Sequence, residues 1–179
     1  MFPYLLIGIA VLVVLLIVMV ALQPSDFRIM RATTISAPAA MVFAQVNDFH
    51  KWAAWSPWEK MDPALKKTFA GAPAGTGAGY SWVGNKKVGE GRMTILGSRP
   101  DDLIRIKLEF LKPFPAINLT EFTFRPDGDQ TAVTWSMTGK NNFFFKAFGL
   151  LMSMDKMVGK DFEKGLASMK SLVETATRQ

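Results

Sequence analysis

No charged residue precedes Asp26, and Tyr4–Leu22 is a run of 19 residues interrupted only by Gly8. At about 1.5 Å per helical residue, the first 22 residues span roughly 33 Å, close to the ~30 Å hydrocarbon core of a bilayer. A core helix of a soluble protein needs a polar face, and this segment has none. Tyr4 at one end and Gln23-Pro24-Ser25 at the other suit a membrane interface and a stop. A cleavable signal peptide fits less well. The run exceeds the usual apolar length, no Lys or Arg precedes it, and Val20-Ala21-Leu22-Gln23 lacks small-x-small spacing. Residues 1–25 are therefore expected to form an N-terminal transmembrane anchor. Arg28 and Arg31 follow it with nothing to balance them upstream, and by the positive-inside rule these two charges lean towards a cytoplasmic domain at residues 26–179.

All the charge sits on that remainder, where 21 Lys+Arg against 15 Asp+Glu leave +6. With 49% hydrophobic and 20% charged residues, intrinsic disorder is excluded for the bulk of the chain. Zero cysteines remove disulfides, thiol nucleophiles and Cys-type zinc sites together. A single histidine, His50, removes a multi-His metal site, so neither a metal nor a cofactor is expected.

Residues 26–179 carry no repeat, long linker or low-complexity tract and read as one domain. Arg28–Ile35 is a strand that runs through Ser36-Ala37-Pro38 into a short helix around Met41–Val46, and Phe49–Ala54 adds a turn before Ser56-Pro57. From Lys67 to Gly139, successive strands are separated by Gly84-Asn85 and Asp127-Gly128 and by weaker breaks at Ser98–Asp102 and Lys112–Pro115. Ile104, Ile106, Leu108 and Phe110 alternate with Arg105, Lys107 and Glu109. Phe122 and Phe124 oppose Glu121 and Thr123, and Val133, Trp135 and Met137 oppose Ala132, Thr134 and Ser136. This period of two belongs to antiparallel strands with one face in water. From Leu151 the period changes: Met154, Val158, Phe162, Leu166, Met169 and Val173 recur at steps of 3 or 4 and mark an amphipathic helix of more than 20 residues. Its stripe needs an apolar partner, and the inner face of the sheet is the one available. Gly149 is placed to break the aromatic-rich Phe143–Leu151 from that helix.

This order resembles the START-like, or SRPBCC, superfamily and its polyketide cyclase/dehydrase-like members. The resemblance is carried by Ile35-Ser36-Ala37-Pro38, Val42-Phe43-Ala44, Asp48-Phe49, Trp52-Ala53-Ala54-Trp55-Ser56-Pro57-Trp58, Gly89-Glu90-Gly91 and Val133-Thr134-Trp135-Ser136-Met137. Met154–Gly159 and Asp161–Leu166 complete it. It implies an α+β helix-grip fold, with a curved antiparallel sheet of about seven strands wrapped on the long C-terminal helix around an apolar cavity. It also implies a hydrophobic ligand, such as a lipid, sterol or polyketide. The anchor departs from the soluble cyclase pattern.

On that fold the residues expected to line the cavity are Trp52, Trp58, Trp82, Met93, Phe110, Phe122, Trp135, Met137, Phe145, Phe148, Met152 and Met154. Methionine, at 11 residues, suits an adaptable wall. Trp55 reads as a plug under the small helices, whereas Trp52 and Trp58 stay open between plug and wall. No residue is assigned to catalysis. Glu121, Asp155, Tyr80 and His50 are the groups that an enzyme would have to turn into the cavity, and Asp48 at i,i+2 from His50 would point away from it on a helix.

Two further signals read as structure. Gly71–Gly79 lacks nucleotide-loop spacing and leads into strand-like Tyr80–Val83, so it reads as a hairpin connection or lid. Lys66, Lys67, Lys86, Lys87, Lys112, Lys140 and Lys146 are spread over turns, for which ordinary solubility is the default reading; beyond it they suit anionic lipid headgroups better than nucleic acid. The sequence thus points to a membrane-anchored domain that binds a hydrophobic small molecule or lipid. A cyclase/dehydrase-type enzyme and a protein-interaction module are the alternatives.

Overall fold

The computed structural model describes residues 2–150 and 153–178. Its first element is α1 (Phe2–Leu22), uncharged throughout and exposed along nearly its whole length. The helix is long and apolar enough to cross a membrane. At its C-terminal end Val20 is buried, and the Lys146 Nζ donates to the Ala21 carbonyl at 3.4 Å.

Seven strands follow in one antiparallel sheet: β1 (Asp26–Ile35), β2 (Lys66–Gly71), β3 (Ala78–Val83), β4 (Glu90–Arg99), β5 (Leu103–Lys112), β6 (Ala116–Asp127) and β7 (Gln130–Lys140). Their spatial order is β1-β7-β6-β5-β4-β3-β2, so the first strand closes against the last and β2 forms the far edge. Irregularities in the β4–β5 register at Glu90/Gly91 and Ile95/Gly97 add the local twist that curves a sheet. The alternation in the sequence is realised: Ile104, Ile106, Phe122, Phe124, Val133 and Trp135 are buried on the concave face.

Between β1 and β2 lie α2 (Ala39–Asn47) and two 3-10 turns, Phe49–Ala54 and Pro57–Lys60. They lay Val42, Val46, Phe49, Trp52 and Trp55 onto the open end of the sheet. After β7, Asn142 caps α3 (Phe143–Gly149) through Phe145 N, and Ser153 caps α4 (Met154–Thr177) through Lys156 N. The 24-residue α4 buries Phe162, Leu166, Met169 and Val173, the stripe set out by the sequence. The sheet grips this helix at β1, where the Arg31 guanidinium takes both oxygens of Asp155 at 3.0 Å and Glu163 Oε1 at 2.6 Å. Gly159 leaves the room in which that guanidinium lies across α4.

Candidate functional site

The two halves of α4 meet different surfaces. Its C-terminal half, with Leu166, Met169 and Val173, sits in a filled core. Its N-terminal half, held to β1 at Arg31 and to β7 at Phe162, borders with β3–β7 and the 3-10 turns a cavity of about 240 Å3. Val158 and Phe162 form the helix side, Trp82, Met93, Leu108, Phe110, Trp135 and Met137 the sheet side, and Trp52, Trp58 and Leu65 the end wall.

Aromatic packing fixes this wall. Trp135 lies between Phe162, whose ring is 4.0 Å away and 6° from parallel, and Phe122 at 4.7 Å. Trp58 meets Trp135 edge-on at 5.7 Å, and Trp52 meets it at 6.4 Å. Trp82 crosses from β3 over Gly91 of β4, its register partner, where a side chain would collide with the indole. Trp55 is the expected plug, 1% exposed, with its indole N–H on the Gln45 carbonyl at 3.1 Å.

Of the residues expected to line the cavity, Trp52, Trp58, Trp82, Met93, Phe110, Trp135, Met137 and Met154 do so. Phe122 faces inward but is fully covered by Trp52, Trp55 and Trp135, one layer behind the wall. Phe145 and Phe148 require a correction. The β7 strand ends opposite the start of β1, where Asn141 N donates to Ser25 O at 2.8 Å, so α3 begins beside the end of α1. There Phe145 packs against Phe114 at 5.7 Å, and Phe148 is half-buried on the same short helix, away from the cavity. Met152 lies outside the described residues.

Sequence reasoning missed the polar part of the wall. Asn118 and Thr120, both buried, line the cavity from β6. Counting two and four residues back from Phe122 finds them, but Leu119 and Ile117 are the apolar residues of that segment and they face outward. Ser56, Glu59, Lys87 and Asp161 stand around the same cavity.

The four acid–base candidates separate. Glu121 lies on the outer face with Arg105 at 2.6 Å, and Asp155 is held by Arg31. His50 is exposed and stacks on Phe69 at 4.0 Å. Its Nδ1 does reach Asp48 Oδ1, at 2.8 Å, contrary to the expected divergence, because Asp48 is the extended cap of the 3-10 turn and not part of a helix. Tyr80 alone lines the cavity, with its hydroxyl donating to Glu59 Oε1 at 3.0 Å while Lys67 pairs with the other oxygen. Burial and the Glu59 carboxylate push the phenol above its ordinary range, so it stays protonated. Among the described residues no cluster of acidic and histidine side chains is arranged for a metal ion. The Gly71–Gly79 connection is tied to the body of the fold, with Gly75 N and Gly77 N donating to Asn47 O and Ile95 O at 2.8 and 2.9 Å.

Comparisons with known proteins agree with this architecture. Protein CV1439 from Chromobacterium violaceum superposes with a TM-score of 0.59 at 17% identity, over 85% of this chain and 99% of that one. Protein SA2116 from Staphylococcus aureus gives 0.63 at 14% identity, over 88% and 99%. TTHA0849 from Thermus thermophilus gives 0.60 at 15%, over 84% and 99%. At these identities the likeness is one of fold, the helix-grip arrangement. Among curated proteins none matches the chain in sequence. The profile described as polyketide cyclase / dehydrase and lipid transport matches residues 26–174, and the chain belongs to that family.

Proposed function

We propose that this protein binds an apolar small molecule between its sheet and the N-terminal half of α4, and that α1 tethers it to a bilayer. The observation that carries the reading is the cavity of about 240 Å3 walled mainly by tryptophan, phenylalanine, methionine and leucine. An apolar cavity of about 150 Å3 takes a six-carbon ring, so this one accommodates on the order of ten heavy atoms. Burial of that many carbons gives useful affinity without a charged anchor. Tethering keeps the cavity near the membrane, where apolar molecules concentrate. Support for the tether is the uncharged α1 helix and its packing against α3.

A second reading, an enzyme on a hydrophobic substrate, draws on the one acid–base candidate inside the cavity. Tyr80 lines the cavity with its hydroxyl on Glu59, a pair through which a proton could pass to or from a substrate.

The test is gentle purification of the full chain in detergent followed by native mass spectrometry and organic extraction. Wild type is expected to carry an apolar molecule that the cavity-filling Leu108→Trp variant lacks while keeping its fold. Equal extracts from the two proteins overturn the proposal.

A further inference from the structure

One end of the sheet is basic and the other acidic. The first strand starts beside the end of β7, Lys66 of β2 lies beside Val83 of β3, and Glu90 of β4 beside Lys112 of β5, so these strand ends form one rim. The segment leading into β2 carries Lys60 and Lys66 there, the β3–β4 turn Lys86 and Lys87, the end of β5 Lys112, and the passage from β7 into α3 Lys140 and Lys146. Against these lysines stand Asp26, Asp62 and Glu90. At the opposite end the β4–β5 and β6–β7 turns carry Asp101, Asp102, Asp127 and Asp129 against Arg99 and Arg125. Lys112 and Lys140 reach Glu90 and Asp26 at 3.0 and 4.0 Å. Lys66, Lys86 and Lys87 are exposed and take part in no ion pair among the described residues.

The basic rim is also the end from which α1 leaves the domain. Gln23, Pro24 and Ser25 alone separate α1 from β1, and three extended residues reach about 10 Å. The α3 helix comes closer still, because the Lys146 Nζ on the Ala21 carbonyl sets it against the last turn of α1, inside the apolar run. Beside that contact Phe114, Phe143 and Phe144 are 48%, 52% and 54% exposed, and Phe114 stacks on Phe144 at 5.2 Å. A cluster of open rings is unfavourable in water and favourable at the acyl boundary of a bilayer, and the surrounding lysines complement anionic headgroups. The cavity lies at this end as well, since Leu65, Val88, Phe110 and Met154 line it.

We propose that the whole rim docks on the bilayer that α1 enters. The Phe114–Phe144 cluster sits at the acyl boundary, the lysines before β2 and in the β3–β4 turn meet anionic headgroups, and the cavity end of the domain faces the lipid. The inference rests on α1 spanning the membrane and adds the orientation of the domain upon it. The tether alone does not fix that orientation: β2 is the far edge of the sheet, six strand spacings of about 4.8 Å from β1.

The chain has no cysteine, so a single introduced one carries a fluorophore at a unique site. Ala64→Cys labels the exposed segment before β2, and Asp129→Cys labels the opposite end. The full chain is reconstituted into phosphatidylcholine vesicles with or without about 30% phosphatidylglycerol, and quenching by a lipid bearing a nitroxide near its headgroup is read at each site. With phosphatidylglycerol present, the label at position 64 is expected to be quenched at least about fivefold more than the label at position 129. Lys66→Glu combined with Lys86→Glu, or omission of phosphatidylglycerol, is expected to cut the quenching at position 64 about threefold. Equal quenching at the two positions, or quenching at position 64 that ignores charge, overturns the docking. If position 64 is not quenched while the protein resists a high-pH wash, the docking falls and the tether stands. If the protein washes off the vesicles, both fall.

Discussion

Trp135 of β7 lies flat on Phe162 of α4, with ring centroids 4.0 Å apart and planes 6° from parallel. This stack is where the sheet takes hold of the helix, at the boundary between the filled half of α4 and the half that roofs the cavity. Phe162 is 2% exposed and also meets Trp58 edge-on at 6.3 Å. Phe162→Ala removes the contact and leaves a void, and it is expected to destabilise the fold by about 3–5 kcal/mol. Urea unfolding followed by tryptophan fluorescence measures it, and a loss below about 1 kcal/mol would remove the stack from its central place.

Gly91 is the site where Trp82 crosses to the neighbouring strand. A methyl group there meets both the indole and the Glu109 carbonyl. Gly91→Ala is expected to cost about 1–3 kcal/mol by overpacking and to push Trp82 into the cavity. Weaker binding of indane to a still folded variant would register the second effect.

The Arg31 clamp acts locally. Arg31 is about a quarter exposed and its partners Asp155 and Glu163 more than half, so solvent screens the pairs. Arg31→Met is expected to leave global stability nearly unchanged. It should nonetheless speed amide hydrogen exchange in the first turns of α4 about fivefold, and leave the C-terminal half, packed through Leu166 and Met169, unchanged. Uniform acceleration along the helix would contradict a local clamp.

Acid should weaken the fold through three carboxylates. Arg92 and then Lys107 hold Glu109 at about 2, well below its ordinary 4.5. Asp155 is lowered by Arg31, and Glu174 by the backbone N–H of Ser36. Each binds its proton more weakly folded than unfolded, so each contributes stability above the ordinary carboxylate range and loses it as pH falls below about 4.5. The thermal midpoint is expected to be level near neutrality, to drop below about pH 4.5, and to drop less steeply in Glu109→Gln. An unchanged midpoint down to about pH 3 would count against these pairings.

The tether makes its own prediction. The full chain should remain with the membrane fraction after a high-pH wash, and Leu12→Arg, placing a charge at mid-helix at a cost of about 2.5–3.5 kcal/mol, should release a measurable part of it. Release of the wild-type protein by the wash would end the anchor reading.

Most of the fold was legible because its elements have a simple period. Ile104, Ile106 and Phe110 declare an inner face by alternation, and Phe162, Leu166, Met169 and Val173 declare a helix stripe. The site was legible where its wall is apolar. Thr120 and Asn118 escaped because hydrophobicity points the wrong way in their segment: Ile117, 64% exposed, and Leu119 face out while the polar pair faces in. Phe145 and Phe148 misled for the opposite reason. Their aromatic character suits a cavity, but their destination depends on β7 ending beside β1, a tertiary fact that no local pattern encodes. The Asp48–His50 contact depended likewise on a cap residue leaving helical geometry.

The division of α4 has an evolutionary consequence. Leu166, Met169 and Val173 carry the docking that the fold requires, whereas Val158 and its sheet-side neighbours Leu108 and Met137 border open volume. Substitutions in the second group resize the chamber without touching the anchorage of the helix. Selection can therefore reshape this chamber by altering a few side chains at one end, leaving the architecture at the other end to be inherited intact.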